Sequence, residues 1–276
     1  MALDEGEGRG GPPPRTRNRL GHRRLGGFRY EGIVALAGLA FVWQIASLFV
    51  PHFLFPSVPE IGQRLFEIFT SWKSISDALA TSARILAGLT GAFVLGTLLA
   101  MPMARSPAFE RYAYPLLNFN QGIPALSWVV VAIIWFRGIE FRIFFIMVMT
   151  TLPAFTFQVL DAYRGMSKDL FEMTLAFRPS RFGLFRTLVW PTVLPGILTA
   201  WKVNLGNASR VVVVAELVGA TGGVGYELLQ QQQIFDMAGA VAWTLVLVIF
   251  VLVVQGFISL IERHALRYRA FAEHAL

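Results

Sequence analysis

Residues that could carry out covalent chemistry are scarce in this sequence of 276 residues. It contains no cysteine, which excludes disulfides, thiol catalysis and cysteine metal sites. Its four histidines show no metal-ligand spacing, so we assign no metal site to His22, His52, His264 and His274. No G-x-x-x-x-G-K-[ST] segment occurs, and the glycine-rich segment 221–225 lacks the lysine and reads as a turn. We therefore predict that the chain is not an enzyme.

The most unusual polar residues lie inside an apolar stretch, Ile197–Gly219, which contains Lys202, Asn204, Asn207, Ser209, Arg210 and Glu216. A charge at mid-bilayer costs about 2.5–3.5 kcal/mol on insertion scales, so such residues usually face other helices or a wet cavity. Ser209 and Glu216 share one helical face with Lys202. We predict that four residues line a translocation path: Asn207, Ser209, Arg210 and Glu216. The alternatives are hydrogen bonds within the helix bundle and side chains that reach the membrane interfaces.

The elements that must position these residues are long apolar helices. The sequence is 55% hydrophobic and 15% charged, whereas soluble domains have about 45–50% apolar and about 25% charged residues. The apolar residues fall in blocks of about twenty, the length a helix needs to cross a bilayer. We predict an all-α polytopic membrane protein with about six transmembrane helices, at Gly32–Val50, Ala78–Ala104, Ala113–Phe136, Phe141–Leu160, Ile197–Gly219 and Ala238–Ile261.

The basic residues predict the orientation of these spans. A net charge of +7 would suggest nucleic-acid binding in a soluble protein, but here the basic residues flank apolar blocks. With both termini cytoplasmic, 17 of the 24 Lys and Arg residues fall in cytoplasmic segments and 4 in outside segments, as the positive-inside rule expects. Residues 1–29 then form a disordered basic cytoplasmic tail, 30–264 the transmembrane domain, and 265–276 a cytoplasmic C-terminal tail.

A stripe of small residues marks the second predicted span. Four of them recur at intervals of four residues and therefore share one helix face: Gly88, Ala92, Gly96 and Ala100. Small residues let another backbone approach closely, which favours helix association in lipid. We predict that the stripe packs against another helix of the bundle, with a subunit interface as the alternative.

The segment 161–196 between the fourth and fifth predicted spans is too long for a tight turn and too patterned for a linker. Ser167 and Ser180 can each cap a helix. Pro179 biases the residue before it out of helical conformation. We predict two short amphipathic helices joined by a bend on the cytoplasmic face, the second of which ends before Pro191. The alternative is a pair of helices that simply lie in the headgroup layer.

Three stretches of this segment carry a distinctive pattern: 172–178 (EMTLAFR), 185–191 (FRTLVWP) and 193–197 (VLPGI). They resemble the EAA loop of ABC importer permeases, whose pattern is Glu-Ala-Ala, three residues, Gly, a spacer, then Leu-Pro, three residues and Pro. The chain departs from that pattern where Met173 and Thr174 replace the two alanines and Arg178 replaces the glycine. Shorter stretches are similar to the branch that imports nitrate, sulfonates and taurine: 55–57 (FPS), 81–84 (TSAR), 122–126 (GIPAL) and 213–216 (VVAE).

The resemblance implies the fold and the partners of a type I ABC importer permease. In that family the loop is a coupling helix that docks on an ATPase, and here it would use Leu170, Phe171, Glu172, Leu175, Arg178 and Pro179. It also implies an extracytoplasmic solute-binding protein, a second copy of this chain or a similar permease, and the bacterial inner membrane. The solute would be small, for example an anion such as nitrate, a sulfonate or taurine. The chain would hold no cofactor, since the ATPase uses the ATP.

Two other classes of protein would share the apolar spans. A secondary transporter usually shows internal repeats with broken helices, and the first three spans do not convincingly repeat in the last three. A membrane-bound enzyme would need clustered His, Asp or Glu residues near an interface, where this chain has four scattered histidines. We therefore expect the transmembrane subunit of an ABC importer.

Overall fold

We describe a computed structural model of the protein for residues 30–51 and 53–265. The predicted tail 1–29, all but the first residue of the predicted tail 265–276, and the residue His52 lie outside the described residues, as do His22 and His274. All regular elements of the described chain are helical: α1 Tyr30–Ser47, α2 Val58–Thr70, α3 Trp72–Arg105, α4 Pro107–Gln121, α5 Ala125–Trp135, α6 Ile139–Arg164, α7 Lys168–Ala176, α8 Arg181–Leu184, a π-helical turn Phe185–Val189, α9 Trp190–Gly219, α10 Val224–Gln233 and α11 Met237–Ala265.

The predicted all-α membrane fold is confirmed, with one change in the third span. Five of the described helical segments are long and apolar enough to cross a membrane alone: Tyr30–Ser47, Trp72–Arg105, Ile139–Arg164, Arg181–Gly219 and Met237–Ala265. The predicted third span, Ala113–Phe136, is not one straight helix. It is divided between α4 and α5, which are bent by 93°. Pro124 explains the break, because proline has no amide hydrogen and disfavours helical backbone at Ile123.

The chain also divides near the end of α1. Among the described residues, 30–42 form one unit, an apolar helix, and those from Trp43 onward form the other. In this second unit α3, α6 and α9 pack together around a core that includes Ile85, Met147 and Leu205, all fully buried. The helices α2, α10 and α11 meet in a second cluster, which holds the buried Trp243.

The small residues of α3 lie against α6. Gly88, Ala92, Gly96 and Ala100 are all buried. A Cβ atom placed on Gly88 would lie 2.6 Å from the Cβ of Met147, and one on Gly96 would lie 3.1 Å from the nitrogen of Thr156. The two backbones therefore approach more closely than larger side chains would allow.

The segment between α6 and α9 differs from its prediction at one point. Ser167 caps α7 by accepting from the amide of Leu170, and Ser180 caps α8 by accepting from the amide of Gly183. The second helix does not end before Pro191, however, because it runs through the π-helical turn into α9. In that turn the amide of Trp190 donates to the carbonyl five residues earlier. This wider turn carries the helix past a proline that has no amide hydrogen to donate.

Replacing Gly88 by alanine should destabilise the bundle, because the added methyl group would overlap Met147. Overpacking of this kind costs about 1–3 kcal/mol. We expect the melting temperature of the purified protein in detergent to fall by several degrees.

The matched control is Gly206→Ala in α9, where a new Cβ would meet no atom within 4 Å. Alanine is the better helix former by about 1 kcal/mol, so this variant should melt at the same temperature as the native chain or slightly higher. Equal destabilisation by both substitutions would contradict a close α3–α6 contact at Gly88.

Candidate functional site

A buried ion-pair network joins α3, α6 and α9 at one end of the bundle. The Glu216 side chain of α9 is 0% exposed, and its Oε1 accepts a hydrogen bond from Nη1 of Arg84 at 2.7 Å. The Thr81 hydroxyl donates to the same carboxylate at 2.8 Å, and the amide of Gly225 donates to Oε2 at 2.8 Å. Arg84 also reaches Glu140 of α6, with 2.6 Å between Nη2 and Oε1. One arginine thus pairs with carboxylates from two other helices.

The turn between α9 and α10 is folded around this network. The carbonyl of Gly222 accepts from Nη1 of Arg84 at 2.8 Å, and the amide of Gly223 donates to Oδ1 of Asp77 at 2.9 Å. Gly223 has φ +116°, and a Cβ there would lie 2.6 Å from Oε1 of Glu216 and 2.7 Å from Nη1 of Arg84. Only glycine fits this position, so the glycine-rich segment encloses an ion pair.

Arg84 was not among the predicted site residues, although the sequence held a signal for it. It is the one charged residue between Ala78 and Ala104, the predicted second span. A lone charge within a span needs a partner in the bundle. Its partner Glu216 lies 132 residues away, and this distance explains why spacing along the chain did not connect them.

The four predicted path residues have different surroundings. Glu216 is enclosed by the network, and Ser209 is buried with its hydroxyl directed to the carbonyl of Leu205 in its own helix. The side chains of Asn207 and Arg210 are exposed on the surface of the described chain. Of the four, the described structure therefore encloses Ser209 and Glu216 and leaves Asn207 and Arg210 exposed.

Two further polar residues of α9 are held by neighbouring helices. Lys202 pairs with Glu262 of α11, and Nδ2 of Asn204 donates to Oε1 of Gln158 in α6 at 2.6 Å. Lys202 and Asn204 therefore bind neighbouring helices, as expected if polar residues of the fifth predicted span form hydrogen bonds within the bundle. They tie the first half of α9 to the helices on either side of it.

The helix α7 projects apolar side chains away from the bundle. None of its residues is buried, and Leu170 and Leu175 are 48% and 46% exposed. Glu172 is also exposed, whereas Phe171 and Pro179 are partly buried. An apolar surface on a capped helix outside the core is typical of a docking site for another protein.

The bend after α7 depends on Arg178. This residue has φ +46°, the left-handed conformation, and its amide donates to the carbonyl of Leu175 at 2.9 Å. For a residue other than glycine, that backbone conformation costs about 1–2 kcal/mol. Arg178 therefore makes the bend with the type of backbone conformation that glycine adopts most readily, at the position where the EAA pattern has glycine.

The fold and the exposed helix α7 together indicate a class of protein. A bundle of membrane-spanning helices that presents an exposed EAA-type helix is typical of a transport permease. Residues 92–267 match the family described as binding-protein-dependent transport system inner membrane component. The chain belongs to this family and is the permease of an ABC importer.

Similar proteins agree with this assignment. The chain is 28% identical over 205 residues to the formylaminopyrimidine transport permease protein ThiX of Halalkalibacterium halodurans, covering 74% of this chain and 82% of ThiX. It is 24% identical over 265 residues to the putative aliphatic sulfonates transport permease protein SsuC of Bacillus subtilis, covering 94% and 96% of the two chains. Its fold resembles that of a chain in the inward-facing MetNI methionine ABC transporter, with a TM-score of 0.61 and 22% identity over 70% of this chain and 96% of that one.

Replacing Glu216 by glutamine should strongly destabilise the protein, because it removes the buried carboxylate that faces Arg84 and leaves the largely buried guanidinium with only the exposed Glu140 as a charged partner. Breaking a buried ion pair by removing one partner costs about 3–5 kcal/mol. We expect a large fall in melting temperature and lower membrane abundance.

The control is Glu140→Gln, which removes the other carboxylate bound to Arg84. The Glu140 side chain is 69% exposed, and exposed ion pairs contribute only about 0–1 kcal/mol, so the loss should be small. A similar loss for the two variants would show that burial of Glu216 is not what makes its charge important.

Proposed function

We propose that this permease passes a small solute across the membrane between two copies of itself, driven by ATPase subunits that bind at α7. The observation that carries the proposal is the exposed apolar surface of α7 and its bend, made by Leu170, Met173, Leu175 and Phe177. This surface would be costly to leave in water, and its helix is already ordered by the Ser167 cap. Glu172 on the same helix would add a charge contact with the ATPase.

The family relationship supports the other partners. A member of a binding-protein-dependent family would receive its solute from an extracytoplasmic binding protein. The chain has a single EAA-type loop, whereas family transporters combine two permease halves with two ATPases, so it would pair with itself or with a similar permease. ATP would be used by the ATPase, and this chain would bind no cofactor.

The orientation that we propose places both termini, and the loop 161–196 with α7, in the cytoplasm. The charge distribution supports it, because most basic residues outside the spans then lie inside. In the structure α3 and α6 end on the same side of the bundle, where Arg164 of α6 pairs with Glu110 of α4. The network around Glu216 would then lie towards the outer face.

For the solute, we propose a small anion that passes the exposed Arg210. An anion loses its hydration on entering the bilayer, and a nearby positive charge offsets part of that cost. Of the two relatives described above, SsuC is named for aliphatic sulfonates, which are anions of this kind. Asn207, three residues away and also exposed, would add hydrogen bonds.

Replacing Glu172 by arginine should abolish solute uptake without lowering membrane abundance, because the change reverses a charge on an exposed docking helix. The measurements are uptake into vesicles and co-purification of the ATPase. Asp161→Arg is the control, since Asp161 is also exposed near the end of α6 but lies outside α7. Normal uptake and normal ATPase binding by the Glu172 variant would contradict the docking role of α7.

Single cysteines can test the orientation, because the native chain has none. A cysteine at the exposed Thr70 should react with a membrane-impermeant maleimide added to intact cells, whereas one at the exposed Ser180 should react only after the membrane is permeabilised. Labelling of the Ser180 variant in intact cells would reject the proposed topology.

A further inference from the structure

The break between α4 and α5 lies at mid-membrane depth. Nδ2 of Asn120, just before the break, donates to the carbonyl of Met149 at 2.8 Å. Met149 is in the middle of α6, which runs from Ile139 to Arg164. At 1.5 Å per residue this carbonyl lies about 15 Å from one end of the helix and about 22 Å from the other. The non-helical residues 122–124 are therefore in the hydrocarbon layer.

Several polar side-chain groups at this break have no hydrogen-bond partner within the part of the chain that the structure describes. Asn118, Gln121 and Ser127 are exposed, and their side chains make no hydrogen bond with described residues. Two further polar atoms, Oδ1 of Asn120 and Nε1 of Trp128, are buried without a hydrogen-bond partner. The start of α5 also lacks a side-chain cap, because its cap residue is a proline.

Lipid cannot cover such a surface. Each unsatisfied polar group in hydrocarbon costs several kcal/mol, so irregular backbone at this depth occurs only where protein or a water-filled cavity covers it. The neutral amides and the hydroxyl at the break can each donate and accept hydrogen bonds. These groups can therefore hydrogen-bond water or a passing polar solute, which a fixed apolar contact would not allow.

The helix α5, which begins at the break, packs against α9. Val129 and Ala132 of α5 belong to the same buried cluster as Leu205 and Ala208 of α9. Asn207, which is exposed, lies between those two α9 residues in the sequence. The break is therefore connected through α5 to the helix that carries the exposed Asn207.

We propose that the break between α4 and α5 lines the solute path, and that Asn118, Gln121 and Ser127 hydrogen-bond the solute as it passes. This inference rests on the proposed transport function and adds a second path element to α9. Amide and hydroxyl donors would bind the oxygen atoms of a small oxyanion such as a sulfonate.

Cysteine accessibility in the assembled transporter tests this proposal. Asn118, Gln121 and Ser127 are replaced singly by cysteine, and the permease is reconstituted with its ATPase in liposomes. The probe is the anion (2-sulfonatoethyl) methanethiosulfonate, which reacts with the thiolate that forms in water. Val248→Cys and Leu252→Cys are the controls, because both are exposed apolar positions of α11.

Cysteines at the break should react on the order of tenfold faster than the α11 controls, since a thiol in lipid scarcely ionises. Their rates should also differ between nucleotide-free transporter and transporter trapped with ATP and vanadate, because a path residue changes its access during the cycle. Serine and cysteine are nearly isosteric, so Ser127→Cys should keep the native melting temperature and remain informative if the other variants fold poorly.

Rates at the break as slow as those of the α11 controls would overturn the proposal. Disulfide crosslinking of Ser127→Cys between two permease copies, without reaction with the probe, would also overturn it, because a second copy would then cover the break. If the ATPase still binds α7 in such an experiment, only the path inference fails. If the ATPase does not bind the native chain, the proposed function itself fails.

Discussion

The pairing of Glu216 with Arg84 is the constraint around which one end of the bundle is organised. A carboxylate in the interior needs an opposite charge and hydrogen-bond donors, because they offset the free-energy cost of removing it from water. Arg84, Thr81 and the amide of Gly225 supply both requirements. Thr81 and Arg84 come from α3, and Gly225 lies at the start of α10. These contacts therefore set the register of α3 against α9, and the turn between α9 and α10 requires glycine at position 223.

The other end of the bundle has the opposite character. The helix α7 is short and exposed, but it is followed by a continuous helical segment of 39 residues from Arg181 to Gly219. A segment of that length spans roughly 60 Å. It begins beside the proposed ATPase contact and ends at the Glu216 network. Displacement of α7 on ATPase binding would therefore be transmitted by a helix whose far end is fixed by buried charges.

Much of the fold could be predicted from the sequence because apolar blocks of bilayer length leave few alternatives. The site was harder to predict. Polar residues within a span indicate either an internal partner or a wet path, and both explanations favour the same residue types. Helical periodicity places Ser209 and Glu216 on a different face from Asn207 and Arg210, but it does not show which of the two faces the bundle encloses. The break in the third predicted span had a visible signal in Pro124, but a proline in the sequence does not give the 93° angle between the two helices.

The π-helical turn at Phe185–Val189 determines how far α9 is rotated about its own axis relative to α7 and α8. A π turn is equivalent to one residue inserted into an α-helix, and each residue rotates the following helix by about 100°. That single extra residue thus sets the direction in which Arg210 points relative to the corner between α7 and α8, which is the bend at Arg178. Because the far end of α9 is held by the Glu216 network, loss of one residue between that corner and Pro191 would change the direction in which α7 points from the bundle, although every side chain of α7 and α9 remained the same.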